Sequence, residues 1–74
     1  MSEPLDLCGL KCPLPALMTR RALARVLPGT EIEVIADDPL AAIDIPHMCR
    51  QEGYEVVSVA RDGDRARLTL RRPG

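Results

Sequence analysis

A cysteine followed by two prolines one residue apart constrains this chain more than any other feature. Leu5-Asp6-Leu7 alternates apolar and polar residues, Gly9 breaks the run, and Cys12-Pro13-Leu14-Pro15 follows. Proline lacks a backbone N–H and clashes inside a helix, but the N–H groups of a first turn have no intrahelical partner anyway. The pair therefore marks the start of a helix, and Leu5 to Leu7 a short strand before it. The helix is predicted to run through Met18, Leu23 and Val26 to Leu27, where Pro28-Gly29 stops it.

The rest of the chain carries the same kind of punctuation. Thr30 to Ala36 sets Glu31 and Glu33 against Ile32 and Val34, a half-buried strand. Asp37-Asp38-Pro39 has the form of a helix cap with proline behind it. Because Pro46 interrupts the next segment, a short turn is predicted over Leu40 to Ile43. A compact helix then runs from Ile45 or Pro46 to Glu52, ended by Gly53. Tyr54 to Ala60 is rich in strand-forming residues, and Arg61-Asp62-Gly63-Asp64 holds an Asp-Gly hairpin turn. Arg65 to Arg71 places Ala66, Leu68 and Leu70 on one face and arginines on the other. The predicted order is βαβαββ, an α+β two-layer sandwich. Right-handed crossovers put both helices on one face of a four-stranded mixed sheet. Its other face is open to water and suits the arginines, with Val57 and Val59 joining them if Val56 and Ser58 point inward.

Size limits what such a fold can do. Its 74 residues allow one domain with a thin core and no deep cavity. Tyr54 is the only aromatic residue, so stacking platforms for single-stranded nucleic acid are missing. Ten basic and eleven acidic residues give a net charge of -1, without the basic excess of a nucleic-acid or membrane-surface binder. Met1-Ser2-Glu3-Pro4 does not resemble a signal peptide, and no apolar run approaches the roughly 20 residues of a membrane span. A cytoplasmic protein is expected. Its three cysteines, Cys8, Cys12 and Cys49, are an odd set, which points to thiols that react or pack rather than to a disulfide scaffold.

If the first two strands are parallel, Cys12 and Asp37-Asp38-Pro39 meet at their carboxyl ends, the usual place for a site in such sheets. Cys12 is expected at the N-cap or first position of its helix, where the macrodipole favours a thiolate and Lys11 adds positive charge. Pro13 and Pro15 stiffen the turn and leave the amides of Leu14 and Ala16 free. The nearby aspartates act in the opposite direction, so the sign of the net pKa shift is open. A small thiol that merely packs at a helix start is the plainer alternative.

From Leu5 to Pro15 the chain resembles the LDxxGxxCPxP signature of the TusA (SirA-like) sulfur carrier family. Pro28-Gly29, Asp37-Asp38-Pro39, Asp44-Ile45-Pro46 with Cys49, and Gly53 extend the resemblance over essentially the whole chain. It implies a fold like the C-terminal domain of translation initiation factor three. It also implies that Cys12 carries sulfur as a persulfide, with Lys11, Pro13, Pro15 and Asp38 supporting the site. The donor would be a cysteine desulfurase or rhodanese, and the acceptor a DsrE-like protein or thiolation enzyme. The relays so implied are tRNA thiolation, molybdenum cofactor assembly or sulfur oxidation. No cofactor, metal or direct nucleic-acid partner is implied, and a monomer is expected.

Helical spacing turns Ala16, Thr19, Leu23, Val26 and Leu27 toward the sheet and Leu14, Leu17, Arg21 and Arg25 away from it. The second group, beginning beside Cys12, is an apolar anchor with a basic rim for an acidic partner; scattered surface leucines are the ordinary alternative. Cys8 either resolves an oxidised Cys12 or is a small residue at a strand end, and Cys49 is expected in the core. A Cys₃His metal set of Cys8, Cys12, His47 and Cys49 is disfavoured, since His47 and Cys49 point apart on a helix. His47 as a base for Cys12 is a weak reading too. Asp37 and Asp38 are read first as a cap. A Cys8/Cys12 thiol redox protein and a non-catalytic interaction module remain as alternative functions.

Overall fold

The computed structural model describes residues 4–74; Met1, Ser2 and Glu3, on which the reading of the N-terminus partly rests, lie outside the described residues. Six elements follow one another: β1 (Leu5–Asp6), α1 (Leu14–Arg25), β2 (Glu31–Ala36), α2 (Ala41–Glu52), β3 (Glu55–Asp62) and β4 (Arg65–Arg71). They form a four-stranded mixed sheet in the order β1-β2-β4-β3. β1 runs parallel to β2, while β4 is antiparallel to both of its neighbours.

Alternation decides which face is covered. Val34 and Ala36 of β2 meet Leu68 and Ala66 of β4 in register, and Leu70 completes a row that is buried throughout. Leu23 of α1 and Ile45, Met48 and Cys49 of α2 close over that row, and the helices also touch each other. The other face carries Arg67 3.8 Å from Glu33, and Arg71 2.9 Å from Glu55. Exposed pairs of this kind are worth about 1 kcal/mol at most, so the core holds the layers together.

Several local expectations give way to packing. α2 is continuous from Ala41, with Pro46 inside it, instead of a turn followed by a shorter helix. Its buried residues are Ala41, Ile45, Met48 and Cys49, a spacing that stays on one side only if the helix is unbroken. Burial of that stripe outweighs the roughly 3 kcal/mol that an interior proline costs. α1 ends at Arg25, before Leu27, because Val26 is already extended (ψ 160°). Leu27 is therefore 78% exposed and does not face the sheet.

The hairpin and β3 differ as well. Asp62 pairs with Arg65, so the turn is Gly63-Asp64 rather than Asp62-Gly63. Gly63 at φ +60° is the only positive-φ residue in it, the pattern of a type II′ turn with glycine first. A bulge between Val56 and Ser58 then reverses the alternation of β3. Val56 pairs with buried Leu70 as expected, but beyond the bulge Val59, not Ser58, pairs with the inward Leu68. Val59 nevertheless stays 45% exposed.

Arg72, just beyond β4, closes α1. Its Nη1 donates to the carbonyls of Ala24 (3.1 Å) and Val26 (2.7 Å), where the helix end leaves acceptors unmatched. Arg72→Ala is expected to lower stability by about 1 kcal/mol. Arg61→Ala, at the hairpin, should cost less than about 0.5 kcal/mol. Urea unfolding midpoints compared at unchanged slope check both.

Candidate functional site

The loop from β1 to α1 is shaped by short-range bonds and fastened by long-range ones. It turns at Gly9, whose φ of +87° suits glycine. The amide of Leu10 donates to the Leu7 carbonyl at 3.2 Å, and that of Leu14 to the Lys11 carbonyl at 2.8 Å. Two carboxylates from the β2–α2 connection then hold it. Asp37 Oδ1 accepts the Gly9 amide at 2.9 Å, and Asp38 Oδ2 accepts the Cys12 amide at 2.6 Å. Asp38 Oδ1 also accepts the Leu40 amide at 3.0 Å, so one side chain bridges both loops. Sequence reasoning placed Cys12 beside these aspartates, and the structure does so. The bond to Leu40 is the capping contact expected of Asp38, made to the turn that leads into α2, while α2 itself starts behind Leu40 with no side-chain cap.

Cys12 is exposed and free, and it lies one residue before the N-cap, Pro13. The Cys12–Pro13 peptide is cis. Its thiol donates to Asp44 Oδ2, 2.7 Å away on α2. That hydrogen bond, burial, and the charges of Asp44 and Asp38 push the Cys12 thiol above its ordinary value. The sign left open by the sequence is thus upward. Lys11 acts elsewhere: its charge helps to hold Asp38 below the usual carboxylate range, after the amide bonds from Leu40 and Cys12. Nor is the Leu14 amide free for an anion, since Lys11 occupies it.

The remaining predicted residues separate clearly. Pro13 is exposed, whereas Pro15 is buried and accepts the hydroxyl of buried Thr19 at 2.7 Å. Lys11 lines an open cleft of about 410 Å³ with Gly9, Asp37, Pro39, Arg61, Gly63 and Asp64, and Cys12 is not part of its wall. Leu14, Leu17, Arg21 and Arg25 are all exposed along α1, and Met18 joins them. Leu40 and Ile43 add apolar surface at the start of α2. Cys8 is partly exposed and Cys49 fully buried, with its thiol pushed up to about 11 by burial. Among the described residues no three His, Cys, Asp or Glu side chains converge as metal ligands. No helix among them is long and apolar enough to cross a membrane.

Sequence reasoning missed Asp44 as a member of the site. A continuous α2 beginning at Ala41 would have put Asp44 in its first turn, beside Cys12. Reading Pro46 as a break hid that.

Asp38 makes a pH-dependent contribution whose direction is fixed. Its carboxyl is lowered on folding, so the unfolded chain binds the proton first. The stabilisation is complete above the ordinary aspartate value of about 3.9 and fades as pH falls through the folded value. Asp38→Asn is expected to be less stable than the parent at about pH 6, with the gap narrowing toward about pH 3. Unfolding midpoints across that range measure it.

The comparisons agree with this architecture. A family profile described as sulfurtransferase TusA matches residues 3–72. A crystal structure of a SirA-like protein from Desulfitobacterium hafniense superposes with a TM-score of 0.82 at 22% identity. The match covers 96% of this chain and 97% of that one, a likeness of fold. The chain belongs to the TusA family of sulfurtransferases.

Proposed function

We propose that this chain is a single-domain cytoplasmic sulfur carrier that takes sulfane sulfur as a persulfide on Cys12 and hands it to an acceptor protein. Membership of the family supports sulfur carriage in general. The observation that carries the choice of residue is an exposed thiol on a loop fastened from outside by Asp37 and Asp38. Cys49 is buried and Cys8 only partly exposed, whereas Cys12 is on the surface.

The step resembles thiol–disulfide exchange. The Cys12 thiol loses its proton to solvent, and the thiolate pair forms a bond to the outer sulfur of the donor persulfide. The donor's sulfur–sulfur bond breaks, and its electron pair leaves on the inner sulfur, which takes up a proton. An acceptor thiolate repeats the displacement on Cys12. The donor is a cysteine desulfurase or rhodanese and the acceptor a DsrE-like protein or thiolation enzyme. They dock along Leu14, Leu17, Arg21 and Arg25, the exposed side of α1 leading away from the sulfur.

Incubation with a cysteine desulfurase and cysteine should add about 32 Da, one sulfur atom, in a non-reducing intact mass spectrum. Cys12→Ser should show no addition and Cys8→Ser a full one. Equal loss of loading in both variants would sink the single-cysteine mechanism. A species lighter by about 2 Da that needs both cysteines would indicate a redox pair instead. For docking, Arg21→Glu is expected to slow loading from the desulfurase about tenfold and to leave alkylation of Cys12 by iodoacetamide unchanged. Equal slowing of both reactions would refute the docking role.

A further inference from the structure

The Cys12 sulfur is exposed but not unattended. Its proton is donated to Asp44 Oδ2 at 2.7 Å, across 32 residues of sequence. A carboxylate in that position favours the thiol and repels the thiolate, yet only the thiolate attacks sulfur. Asp44 sits in the first turn of α2 and is the only acidic residue there. Asp38 adds a second negative charge from the β2–α2 loop, anchored by the Cys12 and Leu40 amides. Lys11, on the cysteine's own loop, lends its charge to Asp38. α1 begins with uncharged Leu14, and His47 is exposed further along α2. Ion pairs among the described residues are Arg67–Glu33 and Arg71–Glu55, and neither involves Asp38 or Asp44.

Resting on the carrier reading above, we propose that Asp44 is a specificity-determining residue for sulfur transfer: its carboxylate holds the Cys12 thiol proton in the free protein and makes the sulfur favour partners that bring positive charge to it. Both the attacking thiolate and the persulfide anion that follows face the same two carboxylates. A cationic group arriving with the donor or acceptor offsets that repulsion during the displacement described above. An anionic reagent adds to it. The free carrier is thereby slow toward casual electrophiles, although its sulfur is in the open.

Small disulfides of different charge isolate this effect without a partner protein. Mixed-disulfide formation on Cys12 is followed by peptide mass with cystamine (cationic), hydroxyethyl disulfide (neutral) and dithiodipropionate (anionic). In the parent protein the cationic reagent should react fastest and the anionic one slowest. Asp44→Asn should move the midpoint of the pH–rate profile downward. Each unit of that shift gives more thiolate but a weaker nucleophile, for a net gain of about threefold with the neutral reagent near neutral pH. The cationic-to-anionic rate ratio should fall several-fold, Asp44→Glu should restore it, and Glu52→Gln at the far end of α2 should match the parent. An unchanged ratio or an unmoved midpoint in folded Asp44→Asn would overturn the proposal. If that variant does not fold, the parent decides alone: its ratio must shrink as salt is raised, and equal rates with all three reagents at low salt would overturn the idea. Because the reagents carry no persulfide, these outcomes are independent of sulfur loading. A parent that fails to load from the desulfurase while keeping its charge ranking refutes the carrier reading instead.

Discussion

The bond from the Cys12 amide to the Asp38 carboxylate is the interaction on which the site depends. Leu7 and Leu10 tie the start of this loop to the core, but Lys11, Cys12 and Pro13 are exposed and have no apolar anchor of their own. Asp38 supplies the missing constraint by binding Cys12 and Leu40 together, and Asp37 repeats it at Gly9. The carboxylates come from the end of β2, which the core holds through Val34 and Ala36. Position is thus passed from the buried sheet to a solvent-exposed sulfur through hydrogen bonds, without enclosing the sulfur.

This arrangement separates two properties that are often found together. Cysteines at helix starts commonly gain reactivity from the dipole and from free amides. Here Cys12 stands one residue outside the cap, the nearest amide is taken, and two acids face the thiol. The fold fixes where the sulfur is and does not ionise it. On the proposed reading, that leaves activation to whichever partner is present at the moment of transfer.

Most of the architecture was legible in the sequence because its signals were local. Proline pairs, Gly29, Gly53 and the alternation of Glu31–Ala36 and Arg65–Arg71 each act within a few residues, and the βαβαββ order followed from them. Cys12 and the two aspartates were also within reach, since parallel pairing of β1 and β2 brings both loops to one edge. What escaped depended on distant packing. Pro46 forbids a helix locally, and only the buried stripe from Ala41 to Cys49 shows why one persists. Asp44 was hidden by the same misreading. The bulge in β3 leaves no trace in composition, because Val56, Val57 and Val59 suit either phase.

That bulge has a consequence for how the protein meets copies of itself. A sheet of order β1-β2-β4-β3 has two edges, and each is a row of backbone groups that another chain's strand could extend. At one edge β1 is only two residues long, too short to template a partner. At the other, β3 has eight residues and exposed valines, the profile of an aggregating edge. The extra residue between Val56 and Ser58 interrupts its run of donors and acceptors, so the regular stretch an incoming strand could match is cut to Ser58–Asp62. The irregularity that turns Ser58 outward thus also shortens the edge that the sheet offers to another strand.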